Sequence, residues 1–453
     1  MHGAGSPADA ATTHEPGLLG DVGAIMGRRA LGLLMGAGTS VITARALGAA
    51  GRGELAVAGL WVGLFGLVLP MSIGYGFIYY IGQRKLSLSE ALSNGLTFSL
   101  VVGVIGALLA CVAGILWAGQ VIRGVWTLSL VVAAIGLPAG LFGETAGLCL
   151  TGAGLIRLSA RVGAITSTTR LALCALLVLG VRWGVVGALL AFTINNYVGS
   201  ALIFLMVGRQ ARIRPALDLA AIVSAVRFSV KLHFGFIAQF LNYRLDQFVV
   251  NFFLGPAAVG IYGVAVTLAE LIWHVPGAVG NALYPRTSST RSDSAELTAR
   301  ACRMTMLVVG LACVVAAVAG PPLIPLVFGA EFASAGPVLW ALLPGVLALS
   351  AGKVVGPYLV GHDRPQALTW GSVAALLLTV GMGLLLIPQL GILGAGLVSS
   401  AAYSGKAAVS LLWYMRTARA PLAAAVLPRR RDITYLGSVW RPRSALRGTA
   451  SPK

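Results

Sequence analysis

Arg244 and Asp246 stand two positions apart in the middle of an apolar run, "FLNYRLDQFVVNFFLGPAAVGIYGVA" (residues 240–265), with Asn242 one helical turn before the aspartate. A charged group in hydrocarbon costs upward of about 2.5 kcal/mol, so such residues face a cavity or a partner. On a helix, residues two apart point about 200° away from each other. Arg244 and Asp246 therefore do not pair, and at least one needs a partner on another helix. Two readings of Asp246 follow: it couples a cation or proton gradient to movement, or it forms a fixed interhelical salt bridge. Arg244 likewise meets an anionic ligand or ties to a neighbouring helix.

Glu270 and His274 ("ELIWH") lie one helical turn apart, the spacing of a direct hydrogen bond and of a proton relay, or of a satisfied polar pair beside Pro276. The other ionisable residues away from helix ends are Arg170, Lys353, Lys406 and Glu144, so the excess is positive. Arg28, Arg29, Arg227 and Lys231 lie nearer the ends, where long basic side chains snorkel to the interface. A cavity lined by cations and amides lowers the cost of taking an anionic, strongly hydrated group out of water. Asn195, Asn196 and Gln239 can hydrogen-bond a polar ligand, and Tyr75, Tyr243 and Trp273 can stack on one; interhelical packing is the alternative for each.

No residue pattern supports catalysis, and the chain reads as a non-enzyme. Cysteines 111, 149, 174, 302 and 313 make no CxxC pair, and the histidines form no ligand cluster. Neither "SAGKVV" nor "YSGKAA" has the preceding glycine of a phosphate-binding loop, so no nucleotide cofactor is implied. A proton or sodium gradient remains as the energy source.

The elements that must hold these residues follow from composition. The 453 residues are 57% hydrophobic and 10% charged, with a mean hydropathy of +0.88, against about 25% charged in a soluble domain. The chain is an all-α integral membrane protein. Apolar stretches long enough to cross a bilayer occur at 24–44, 55–80, 93–118, 125–150, 162–181, 184–207, 229–253, 258–283, 303–326, 336–360, 367–388 and 392–415. The division is a polar tail (1–22), a six-helix lobe (23–208), a linker (209–228), a second six-helix lobe (229–415) and a basic tail (416–453). Pro70, Pro138, Pro276 and Pro344 mark expected helix interruptions.

With the N-terminus in the cytoplasm, Arg84, Lys85, Arg157, Arg161, Arg209, Arg212, Arg214 and Arg364 all fall inside, as does the basic tail. Both termini are then cytoplasmic. The formal net charge of +19 is accounted for by this topology and by attraction to anionic lipid rather than by nucleic acid.

At an offset of 207, "ARALGAAGRGELAVA" (44–58) aligns with "NFFLGPAAVGIYGVA" (251–265), and "WGVVGAL" from 183 aligns with "LGILGAG" from 390. "LTG" at 150 matches "LVG" at 359 two residues out of register. Six crossings per half give both halves one orientation, a parallel repeat. At offset 209 Glu144 corresponds to Lys353, opposite charges at matched positions that could meet in one access state. Arg244 and Asp246 have no such counterparts, because their equivalents are Ala37 and Thr39.

These segments, with "PLIPLVFGAEFASAGPVLWALLPG" from 322 and "IPQLGILGAGLVSSAAYS" from 387, resemble the polysaccharide or lipid-linked oligosaccharide flippases. That family shares a superfamily with the multidrug and toxic-compound extrusion transporters. The resemblance implies a two-lobed, twelve-helix bundle in a bacterial plasma membrane that moves polyprenyl-diphosphate-linked saccharide to the outer leaflet by alternating access. Polysaccharide polymerase and glycosyltransferases would be its partners. A cation-coupled drug or metabolite antiporter of the same superfamily is the alternative. A cationic drug calls for an acidic cavity and a lipid diphosphate for a basic one, and the basic excess favours the flippase.

Overall fold

The structure is a computed structural model that describes residues 16–117, 119, 121–289 and 294–427. The basic tail expected beyond 415 lies mostly outside the described residues, as does most of the N-terminal tail. Among the described residues the regular elements are helices. They are α1 (Pro16–Val68), α2 (Ile73–Gly82), α3 (Leu88–Leu116), α4 (Thr127–Ile135), α5 (Leu137–Gly152), α6 (Ile156–Cys174), which runs on as a π-helical turn to Gly180, and α7 (Gly184–Ala211). After these come α8 (Leu219–Leu254), α9 (Pro256–Ser289), α10 (Ser294–Phe328), α11 (Ala335–Gly361), α12 (Gln366–Ala418) and the short α13 (Leu422–Val426).

Ten of these stretches are long and apolar enough to cross a membrane. Two of the ten belong to α1 and α12, which have 53 residues each. A straight helix of that length would run about 80 Å against a hydrocarbon core of about 30 Å, so neither is a single crossing. Each is divided at one glycine outside helical geometry: Gly48 (φ 65°, ψ −174°) and Gly391 (φ 62°, ψ −141°). With both divided, twelve legs match the twelve expected spans.

The internal repeat is written in the backbone. Gly48 and Gly255 (φ 65° and 81°) share the left-handed region, and so do Gly184 and Gly391 (57° and 62°) and Arg212 and Arg419 (40° and 52°). All three pairs keep the 207 offset. Gly154 and Asp363 (76° and 59°) repeat it at 209, the register of the third sequence match. A positive φ costs a residue with a Cβ about 1 kcal/mol or more, which is why the two helix corners in each half are held by glycine.

The chain divides into two compact units, residues 1–237 and 238–453, with the boundary inside α8. Unit one buries a cluster that includes Phe77, Leu92, Phe142 and Leu150, but its helix α3 is packed with its large residues outward. On α3, Ser99, Gly103, Gly106, Ala110 and Gly114 are buried, while Leu100, Leu108 and Leu116 are 56%, 62% and 72% exposed. Lipid solvates leucine as well as a protein core does, so close approach of small residues drives the packing. A Cβ on Gly103 would fall 2.4 Å from Pro138 Cα, and one on Gly76 would fall 2.3 Å from the Ala225 carbonyl oxygen. The front half of α8 also secures the break in the second leg. Ser229 Oγ donates to the Met71 carbonyl at 3.0 Å, and Ser72 Oγ lies 3.0 Å from His233 Nδ1. In unit two, α11 is the enclosed element, lying against α9, α10 and α12.

Of the four expected proline interruptions, those at Pro70 and Pro138 coincide with breaks, between α1 and α2 and between α4 and α5. Helices α9 and α11 run unbroken through Pro276 and Pro344. At Pro344 the following amide finds a side-chain acceptor, Gly345 N donating to Ser400 Oγ on α12 at 2.7 Å. A neighbouring helix thus supplies an acceptor to the amide that follows the proline.

The glycines divide into those that allow contact and those that make room. A Cβ on Gly63 meets nothing within 4 Å. Gly103→Ala is expected to lower stability in detergent by about 1–3 kcal/mol, while Gly63→Ala leaves the unfolding temperature unchanged. Thermal unfolding of the two variants side by side checks this.

Candidate functional site

The charges of the opening run are both partnered off their own helix. Arg244 on α8 forms a bidentate ion pair with Glu270 on α9, its two guanidinium nitrogens donating at 2.9 and 3.4 Å. Asp246 is buried at 3% exposure. Its Oδ2 accepts from Tyr262 Oη at 2.5 Å and from Ser399 Oγ at 2.9 Å, and its Oδ1 accepts from the Gln247 amide at 2.8 Å. One carboxylate thereby joins α8, α9 and α12. Glu270 does not bond along its helix to His274, which is exposed, because a guanidinium fork matches both carboxylate oxygens at once and an imidazole does not.

Beside this pair lies an aromatic cluster. Trp273 (α9) sits 5.0 Å from Tyr403 (α12) and 5.2 Å from Tyr243 (α8), measured between ring centres. Lys353 Nζ on α11 stands 4.5 Å from the Trp273 ring centre and 5.6 Å from that of Tyr243. Lys406 Nζ on α12 stands 5.4 Å from the same Tyr243 ring. Two ammonium groups from different helices therefore converge on one tyrosine. Neither has a carboxylate partner among the described residues.

Magnitudes decide what this arrangement needs. A cation over an aromatic face gains about 0.5–2 kcal/mol, whereas removing an ammonium from water costs several kcal/mol. The rings hold the lysines in place without compensating them in full. Two further polar groups are unspent: Asn242 is buried with both amide atoms lacking a hydrogen-bond partner, and so is the Trp273 indole nitrogen. A multiply charged anion would meet two ammonium groups there, with Arg244 already balanced by Glu270.

Unit one holds the other candidates. Arg170 on α6 lies 6.0 Å from the Phe192 ring centre, and its Nε is buried without a hydrogen-bond partner. Glu144 on α5 borders two cavities, of about 400 Å³ and about 240 Å³. The larger is also lined by Tyr75 and Asn196, and the smaller by Arg28, Asn195 and Asn196. Glu144 and Lys353 thus belong to different units, each with its own surroundings. Tyr75 stacks on Phe236 at 4.8 Å.

Tyr262, Ser399 and Tyr403 escaped the sequence reading. Tyr262 lies inside the opening run, and Tyr403 stands three residues before Lys406, on the same helix face. Ser399 carries no signal, since small hydroxyls are common in packed membrane helices.

The fold is one seen in membrane transporters. The chain resembles the lipid II flippase MurJ in an inward closed conformation (TM-score 0.70, 12% identity, covering 93% of this chain and 92% of that one). It also resembles an inward-facing multidrug-resistance MATE transporter of the MOP superfamily (TM-score 0.60, 17% identity, 86% and 94% covered). A third similar structure is a MOP superfamily transporter from Pyrococcus furiosus, described as having a binding pocket of reverse polarity that suggests a different function (TM-score 0.58, 15% identity, 90% and 96% covered). No curated protein gives a significant match. The sequence profile of the polysaccharide biosynthesis protein family matches residues 42–337, and the chain belongs to that family.

The ion pair makes a measurable prediction. Glu270→Gln leaves Arg244 without its counter-charge and is expected to destabilise unit two by about 1–3 kcal/mol. Combining Arg244→Gln with Glu270→Gln is expected to recover most of that loss. A double-mutant cycle in thermal unfolding reads the coupling directly.

Proposed function

We propose that this protein is a secondary transporter that carries a polyprenyl-diphosphate-linked oligosaccharide from the cytoplasmic to the outer leaflet of a bacterial plasma membrane. It works by alternating access and supplies cell-surface polysaccharide assembly. The observation that carries the proposal is the pair Lys353 and Lys406, held over Tyr243 and Trp273 without an ion-paired carboxylate among the described residues. Diphosphate oxygens are the natural counter-charge, and ammonium groups bind phosphate as point charges without demanding one geometry. Family membership and the MurJ-like fold support the same reading. A cation-coupled drug antiporter would require an acidic site, and the polarity of this one is reversed.

Within this proposal both termini are cytoplasmic, the basic segments at the inner face meet anionic lipid, and polymerase and glycosyltransferases act on the same substrate. A proton or sodium gradient drives transport, with Asp246 as the candidate coupling group.

Two measurements test these points. Replacing Lys353 and Lys406 together with glutamine removes two charge-assisted contacts of about 1.5–3 kcal/mol each. It is expected to weaken binding of polyprenyl diphosphate at least tenfold in nanodiscs; unchanged affinity would sink the proposal. Asp246→Asn, at wild-type membrane levels, is expected to abolish complementation in a strain lacking the transporter, and full activity would remove Asp246 from coupling.

A further inference from the structure

The lysines of unit two account for a diphosphate but not for a saccharide. Unit one contains a separate space of different chemistry. The cavity of about 400 Å³ is of the size that holds small ligands. Glu144 is the ionisable carboxylate on its wall, and it makes no hydrogen bond or ion pair with any described residue. Around it stand Tyr75, Thr193 and Asn196, and across the adjoining cavity of about 240 Å³ stands Asn195, whose Oδ1 is buried without a partner. Part of this polar lining is already committed: Thr193 donates to the Val132 carbonyl at 2.8 Å and Asn196 Nδ2 to the Gly136 carbonyl at 3.2 Å. Both carboxylate oxygens of Glu144 remain free to accept.

The space is built rather than left over. Gly59 and Gly63 on α1 and Gly143 and Gly147 on α5 border the two cavities, and a Cβ on any of them would meet nothing within 4 Å. A glycine inside a helix is destabilising by about 1 kcal/mol relative to alanine, so glycine at four positions where a side chain would fit keeps volume open. The larger cavity sets Glu144, Tyr75, Thr193 and Asn196 among mostly apolar side chains with no cation on its wall, and Arg28 lies on the smaller cavity.

We propose that this cavity of unit one is a saccharide subsite that takes an uncharged or amino sugar and excludes an acidic one. Glu144 accepts from adjacent hydroxyl or amido groups, Asn195 and Asn196 complete the polar shell, and the open glycine faces admit the ring. A sugar carboxylate would oppose Glu144 in a confined, poorly screened space. The subsite rests on the transport reading above and adds to it the class of sugar.

Saturation-transfer NMR on the full chain in nanodiscs tests this with soluble probes. The neutral disaccharide N,N′-diacetylchitobiose is expected to receive saturation, and a disaccharide containing glucuronic acid is not. Gly63→Leu fills the cavity and Glu144→Gln removes the charge at constant shape. Each is expected to weaken the neutral disaccharide at least tenfold while keeping the wild-type unfolding temperature. Glu144→Gln is also expected to admit the acidic disaccharide. No saccharide signal in the wild type, or an undiminished signal in Gly63→Leu, would overturn the subsite. Glu144-dependent binding of tetraphenylphosphonium in place of the disaccharide would overturn it as well, assigning the cavity to organic cations. Polyprenyl diphosphate binding through Lys353 and Lys406 is read separately, so failure of the lysine site and failure of the saccharide subsite are distinguishable.

Discussion

Unit two is organised by the problem of holding two half-buried ammonium groups, neither of which forms an ion pair with a carboxylate among the described residues. Lys353 and Lys406 come from different helices, and ring faces lie 4.5–5.6 Å from their charges. Those rings must stay in place for the lysines to stay. Tyr243 and Trp273 are fixed by the helices that the Arg244–Glu270 fork ties together, and Tyr403 is carried by the helix that Ser399 joins to Asp246. The carboxylates therefore position the site, and neither Asp246 nor Glu270 forms an ion pair with a lysine among the described residues. A site of partly compensated positive charge is stable without ligand and gains most from a polyvalent anion.

In unit one, the packing of α3 inverts the habits of a soluble protein. Large apolar side chains on α3 face outward, and glycine, alanine and serine face inward. Backbones approach so closely at Gly76 and Gly103 that a methyl group has no place. Other glycines serve the opposite purpose and keep cavities open. The same residue type thus does two jobs in one unit, and the surroundings of each glycine tell them apart.

Much of the fold was legible in the sequence because hydrocarbon thickness and the absence of water leave few options for a chain of this composition. The repeat was legible because left-handed corners admit little but glycine, so Gly48, Gly184, Gly255 and Gly391 kept their register. The requirement that Arg244 and Asp246 find partners elsewhere followed from helix geometry, but the partners did not. Ser399 is 153 residues from Asp246 along the chain and Glu270 is 26 from Arg244; only the packing of helices brings them together. The Glu270–His274 hydrogen bond that local spacing permits does not form, since a better partner, Arg244 on another helix, takes the carboxylate. Pro276 and Pro344 look like breaks in sequence and are not: α9 and α11 run through them, and at Pro344 the following amide finds an acceptor on α12.

The most direct test is reconstitution of the purified chain in liposomes containing a fluorescent polyprenyl-diphosphate-linked disaccharide, with an impermeant quencher added outside under an imposed proton or sodium gradient. Redistribution of the lipid-linked saccharide across the bilayer, dependent on the gradient and absent from protein-free liposomes, is the expected result. Transport of an organic cation such as tetraphenylphosphonium with no movement of the lipid-linked saccharide would contradict it.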